Sequence, residues 1–154
     1  MRYGTVLAAS LVLVVAGSAQ EKKPENPPQR YNVQADIVTY PQGSAKQTLA
    51  SIAEAVRRTR TDYVLAHLTD PIFVDVKVRQ FGGNFEALVR EVEEHLSDPK
   101  RRQEFERFLK DGTVEESGTT AKVTLKDVSK RQMILRKSGE RWFLDNENEA
   151  PPKN

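Results

Sequence analysis

Cysteine is absent from this 154-residue chain. Its absence excludes a disulfide framework, a thiolate metal site and a lipid-modified cysteine after an export signal. Histidine is scarce as well, and the two residues, His67 and His95, lie far apart without the spacing of metal ligands. The sequence contains no cofactor-binding motif. We therefore expect neither a metal nor a cofactor, and packing alone has to stabilise the fold.

The chain also lacks a strong excess of charge of either sign. It has 24 lysine and arginine residues against 22 aspartate and glutamate residues, which gives a formal net charge of +2. Nucleic acids and anionic membrane surfaces attract strongly basic proteins. A nearly neutral balance argues against either as the main partner, and we expect no nucleic acid to bind.

The longest apolar run lies at the N-terminus, where residues 5–16 carry no charge and follow the basic Arg2. Residues 17–19 are glycine, serine and alanine, the small side chains that a signal peptidase requires. The pattern predicts a cleavable signal peptide at residues 1–19 and an exported protein, periplasmic or secreted. The alternative is an uncleaved anchor, but the run is shorter than the roughly 20 apolar residues that span a bilayer. After cleavage no stable membrane anchor is expected.

Polar segments flank a single predicted domain at residues 44–146. Residues 20–30 contain three prolines and no large apolar side chain, a composition that favours a semi-extended linker. Residues 31–40 are less polar and are expected either to lie along the domain surface or to add an edge strand. The linker is therefore assigned to residues 20–43, and residues 147–154 form a polar tail.

Apolar spacing and capping residues predict helices in the first part of the domain. Ser44 is a suitable N-cap for the first helix, and a shorter helix covers residues 62–68. Asn84 can cap a third helix, and Asp98, which is followed by proline, begins a fourth. Between the second and third helices, residues 72–78 alternate apolar and mixed side chains, which is the spacing of a β-strand.

The last part of the domain has the spacing of short strands. Compact turns at residues 117–118 and 138–139 separate segments that should pair antiparallel, since no helix lies between them. The sequence thus predicts an α+β class, with N-terminal helices packed on a curved, cone-like antiparallel sheet and a C-terminal β-meander. On the last strand Trp142 is expected in the core, and Phe143 is the exposed candidate.

Three stretches carry a resemblance to a known family. They are the helix pair Ser44 to Leu68 with the Thr69-Asp70-Pro71 that follows it, the alternating Ala121-Lys122-Val123-Thr124-Leu125, and the terminal hairpin from Met133 to Asn146 that closes on Arg141-Trp142-Phe143-Leu144-Asp145. In these stretches the chain resembles the nuclear-transport-factor-two-like superfamily, which includes ketosteroid isomerases and polyketide cyclases. The resemblance implies a pocket between the concave sheet and the helices. It implies no particular reaction, because the same fold serves enzymes and non-enzymes.

The candidate ligand-binding residues are Tyr63, His67 and Asp75. Tyr63 and His67 share one face of the short helix, with Asp70 three residues further on, and such groups could act together as an acid–base set. The alternative is a partly exposed helix end. Asp75, together with Lys77, would place charge in a concave site if its strand face lines a pocket, or would lie on a solvated face. No catalytic residue is assigned.

A basic cluster, Lys100-Arg101-Arg102, opens the fourth helix shortly after His95. Basic clusters can bind polyanions, but acidic residues between positions 91 and 94 lie just upstream and can neutralise this one. We expect a solvated, salt-bridged face here.

We find no set of residues with the spacing of a catalytic site. Together with the export signal and the proline-rich linker, this favours a non-enzymatic binding module outside the cytoplasm. Its expected partner is a small apolar ligand or another protein. The alternative is a small pocket enzyme of the isomerase or cyclase type that uses His67 or Asp75. A cavity and the side chains that line it would distinguish the two.

Overall fold

The computed structural model describes residues 26–145. In this part of the chain, five α-helices and a π-helical segment precede a four-stranded antiparallel sheet, and the predicted α+β class with its C-terminal meander is confirmed. The elements are α1 (Ala45–Arg57), α2 (Thr61–Tyr63), the π-helix (Val64–Leu68), α3 (Pro71–Gln80), α4 (Phe85–Ser97), α5 (Pro99–Asp111), β1 (Thr113–Ser117), β2 (Thr120–Leu125), β3 (Val128–Ser138) and β4 (Arg141–Asp145). The predicted signal peptide and the predicted C-terminal tail lie outside the described residues.

The predicted N-caps form as the sequence indicates. The Ser44 hydroxyl accepts from the amide of residue 47 at 3.1 Å, and the Asn84 side chain accepts from the amide of residue 87 at 2.9 Å. Asp98 accepts from the amides of residues 100 and 101 at 2.9 and 3.0 Å. Each cap satisfies amides that the first helical turn leaves without partners.

The four strands pair in sequence order, β1-β2-β3-β4. Gly118 and Gly139 occupy the two predicted tight turns with φ near +60°, the left-handed backbone region that glycine adopts without a steric cost. The β2–β3 turn has the same length as the other two, with two residues, 126 and 127, between the strands. The meander therefore follows from turn chemistry that is readable in the sequence.

The predicted strand at residues 72–78 is wrong, because this segment is part of helix α3. The Asp70 carboxylate accepts from the Phe73 amide at 2.9 Å and caps the helix at a proline, which is pre-organised for a first helical turn. A segment in which every second residue is apolar also has apolar residues four positions apart, which lie on one face of a helix. Val74 and Val78 are such a pair, and both are buried. The two remaining aliphatic residues are exposed, Ile72 at 73% and Val76 at 39%.

The core lies between the sheet and helices α1 and α5. Ile52 of α1 and Phe108 of α5 are buried together with Val123 and Leu135 of the sheet.

No helix among the described residues combines the length and the apolar character needed to cross a membrane.

The last strand buries both of its aromatic side chains. Trp142 is 4% exposed and belongs to the core, as predicted. Phe143 is 8% exposed, so the expectation that it is exposed is wrong. The guanidinium carbon of Arg141 lies 4.9 Å from the centroid of the Phe143 ring, and this cation–π contact helps to cover the ring.

Residues 30–40, called the strap here, lie along the helices and add no strand to the sheet. Val33, Ala35 and Tyr40 of the strap are buried. The Tyr40 ring packs on Tyr63 with a centroid distance of 4.3 Å. The strap falls within the predicted linker at residues 20–43, and it takes the surface course that was one of the two alternatives for residues 31–40.

Candidate functional site

Tyr63 and His67 lie on one face of the helical segment, with ring centroids 5.0 Å apart. Both bind the strap. The His67 Nε2 donates to the Val33 carbonyl at 2.8 Å, and the Tyr63 hydroxyl accepts from the Asp36 amide at 2.9 Å. Asp70 does not join this pair, because it caps α3. The polar groups of the predicted pair are thus occupied in holding the chain's own N-terminal segment.

Asp75 lies on α3 and does not join the other two predicted site residues. Its carboxylate accepts from the Arg30 guanidinium and from the Tyr31 hydroxyl, both in the strap. The Tyr31 ring in turn stacks on Phe85 of α4, with centroids 4.3 Å apart and planes 5° apart. All three predicted ligand-binding residues therefore contact the strap, which joins α3, α4 and the π-helix.

Burial sets the protonation of the His67 and Tyr63 side chains. It lowers the pKa of His67 below 6.5, and the nearby cations Arg141 and Arg30 act in the same direction, against the hydrogen bond to the strap. Burial also raises the pKa of Tyr63 above 10. At neutral pH both side chains are uncharged, which suits their role as hydrogen-bonding partners of the strap.

We expect acid to destabilise the fold through His67. The unfolded chain takes up a proton near pH 6.5 while the folded state resists it, so stability present above that pH is lost as the pH falls towards the folded pKa. Urea unfolding at about pH 7.5 and about pH 5.5 measures the loss. In His67→Gln the loss should be smaller, whereas the exposed His95→Gln should keep it. An equal loss in wild type and His67→Gln would refute the assignment.

A cavity of about 310 Å³ lies on the other side of the π-helix. It is bounded by α3, α4 and the π-helix, with contributions from α1, α5 and the end of β4. Most of its lining is aliphatic or aromatic: Val56, Val64, Leu65, Phe73, Phe81, Leu88, Val92, Leu96, Phe105 and Leu144. None of the three predicted ligand-binding residues is among the residues that line it.

The π-helix separates the strap from the cavity. The Thr69 amide bonds to the Val64 carbonyl at 2.9 Å, five residues back, and closes the wide turn. Val64 and Leu65 line the cavity, while His67 contacts the strap. π-helical turns are frequent at functional sites, and this one presents apolar side chains to the cavity and polar ones to the strap.

Helix α4 supplies one wall of the cavity. Leu88, Val92 and Leu96 recur at intervals of four and form one helical stripe. Leu88 is buried, but Val92 and Leu96 are only half-buried. The C-terminal part of this stripe is therefore covered incompletely by the described residues, and its apolar surface is partly exposed.

Three charged or titratable side chains stand at the cavity: Lys77 from α3, and Glu91 and His95 from α4. The Lys77 ammonium lies 5.7 Å from the Phe73 ring centroid. Among the described residues, no carboxylate or hydroxyl is hydrogen-bonded to His95, whose ring accepts from Arg101. The described residues also contain no group of three or more metal-ligating side chains. An apolar chamber with few polar groups suits ligand binding.

The residues of this cavity have only a weak signal in the sequence. The stripe from Phe85 to Leu96 has helical spacing, and that spacing is the same whether a stripe faces the core or a cavity. Phe73 and Lys77 join the site only because residues 71–80 are helical. His95, which the sequence analysis excludes as a metal ligand and assigns to no site, lines the cavity from the last turn of α4.

The chain matches no family model, no curated protein and no solved structure. Its site has to be interpreted from its own geometry.

Proposed function

We propose that the protein is an exported, non-enzymatic binding module that holds a small apolar ligand in the cavity between α3, α4 and the π-helix. The observation that carries the proposal is the cavity itself, with about 310 Å³ of space and a mainly aliphatic and aromatic lining. Small-molecule sites in proteins have volumes from about 300 Å³ upward and combine such a lining with a few polar groups.

Export rests on the N-terminal pattern of Arg2, the apolar residues 5–16 and the small residues 17–19. The family resemblance also supports a ligand site, since the nuclear-transport-factor-two-like superfamily places its pocket between helices and sheet. Here Leu144 of β4 lines the cavity together with the helices.

The enzyme alternative receives less support from the geometry. His67 and Asp75, the side chains on which it relies, bind the strap and do not line the cavity. General acid–base catalysis requires the titratable group to reach the substrate within hydrogen-bond distance. A binding role requires only the apolar chamber.

Filling the cavity should weaken ligand binding. Val92 is half-buried and lines the cavity, so Val92→Phe would place a phenyl ring in the cavity. With 1-octanol as the probe, calorimetry should show at least about tenfold weaker binding, equivalent to roughly 1.4 kcal/mol.

The matched control is Val76→Phe, which makes the same change on an exposed part of α3 that does not line the cavity. It should keep the wild-type affinity within about twofold. Thermal unfolding of both variants shows whether they are folded. Equal binding of 1-octanol by Val92→Phe and wild type would place the ligand elsewhere.

A further inference from the structure

A second depression adjoins the apolar cavity. It has a volume of about 510 Å³ and lies between α4, α5 and the sheet. The two share four lining residues, His95, Leu96, Phe105 and Leu144. A molecule with its apolar part in the cavity can therefore extend past His95 into this second depression, called the outer groove here.

Polar groups are more prominent in the outer groove than in the cavity. Arg101, Glu104, Arg131 and Gln132 line it beside apolar residues of α5 and β3. Arg131 and Glu104 neutralise each other through an ion pair of 2.9 Å. Arg101 differs, because no carboxylate of the described residues lies within ion-pair distance of its guanidinium. Within residues 26–145, Arg101 is thus the cation of the outer groove that forms no ion pair.

Arg101 lies beside a residue that the cavity and the outer groove share. Its Nη1 donates to the His95 ring, 2.9 Å from Nε2, and His95 lines both depressions. Two acidic residues lie three positions from Arg101 in the sequence. Glu104 pairs with Arg131, and Asp98 accepts from the backbone amides of residues 100 and 101 as the cap of α5. Lys77 and Glu91, which line the cavity, have opposite formal charges. Because Arg131 is paired with Glu104, the two depressions together have a formal net charge of +1, and Arg101 is the cation in the outer groove that remains for a ligand.

We propose that the ligand is a single-chain amphiphile with a carboxylate head, bound with its chain in the apolar cavity and its head at Arg101 beside His95. This inference rests on the proposed function, because it takes the cavity as the ligand site. A guanidinium fork matches the two oxygens of a carboxylate. The apolar lining favours binding of the ligand's hydrocarbon chain. Arg101, which forms no ion pair with the described residues, favours a negatively charged head group.

The test compares two probes of equal chain length, octanoate and 1-octanol, by calorimetry at low ionic strength. Wild type should bind octanoate about fivefold more tightly, the upper end of what one partly exposed ion pair provides. Arg101→Gln should bind both probes equally. The matched control is Arg102→Gln, because Arg102 is the next residue of α5, pairs with Glu106 and lines neither depression; it should keep the preference.

A salt titration of the wild-type protein gives a second measurement that needs no variant. Added salt should weaken octanoate binding and leave 1-octanol binding nearly unchanged. If wild type binds both probes equally, the carboxylate head is excluded. If Arg101→Gln keeps the preference for octanoate, Arg101 is excluded as the residue that binds the head, and the proposal fails. In both cases the apolar site stands. If 1-octanol does not bind at all, the proposed function itself fails, whatever octanoate does.

Discussion

A chain that begins at Pro41, and so lacks the strap, should lose at least about 3 kcal/mol of its free energy of unfolding, or roughly 10 °C or more in midpoint. Val33 and Tyr40 are almost fully buried, and burying a large apolar side chain contributes about 1.5–3 kcal/mol. Their removal also leaves Tyr63 and His67 without their partners in the strap.

Ordering the strap has an entropic cost that its contacts have to exceed, since fixing one residue costs about 1–2 kcal/mol. The expected loss is therefore smaller than the sum of the contacts. The matched control is a chain that begins at Asn26, which keeps Arg30 and its bonds to Asp75. If both truncated chains unfold at the same temperature, the strap contributes nothing to stability, and residues 30–40 act only as a linker.

Replacing Trp142 with alanine should cost about 3–5 kcal/mol, the usual range for a large aromatic side chain removed from a core. Trp142 is 4% exposed, and its backbone carbonyl accepts from the Gln42 side chain at 2.7 Å. That bond survives the substitution, so the loss reports the packing of the indole alone. Urea denaturation of wild type and variant, fitted with a common m-value, measures this difference in the free energy of unfolding.

The control for Trp142→Ala is Lys137→Ala. Lys137 is the cross-strand partner of Trp142 on β3 and is exposed, so its truncation should change stability by less than about 0.5 kcal/mol. A loss below roughly 1 kcal/mol for Trp142→Ala would mean that the indole is not packed in the core.

Local signals in the sequence were sufficient where one interaction decides the structure. The caps at Ser44, Asn84 and Asp98 and the turns at Gly118 and Gly139 depend on a side chain or a backbone angle within a few residues. These positions were predicted correctly. The β-meander follows directly from its turns.

Segment 72–78 shows where local signals compete. Its β-branched alternation favours a strand, but Asp70 and Pro71 form a helix start immediately before it. The cap prevails because Val74 and Val78 can be buried together on a helix. Propensity alone does not decide such cases, since tertiary burial overrides it.

The candidate site depends on contacts between segments that are distant in sequence. Tyr63 and His67 were predicted to share a helix face, and their rings do lie together. Both contact the strap, about 30 residues earlier in the chain. The spacing of residues within a helix does not indicate which distant segment packs on it. The cavity arises in the same way, because Phe73, Val92 and Leu144 meet only after α3, α4 and β4 have packed.

The cavity and the strap lie on opposite sides of the π-helix. Polar side chains on one side of the π-helix fasten the N-terminal segment, and apolar side chains on the other side leave space for a ligand. None of the strap residues lines the cavity.

The most direct test of the apolar binding site is a titration with 1-octanol followed through the methyl signals of valine and leucine in the NMR spectrum. Binding in the cavity should shift the signals of Val64, Leu65, Leu88, Val92 and Leu96, which line it. The methyl signals of Val33 in the strap and of Val76 on the exposed side of α3 should stay unchanged. Shifts confined to the strap side, or no shifts up to the solubility of the probe, would contradict a ligand site between α3, α4 and the π-helix.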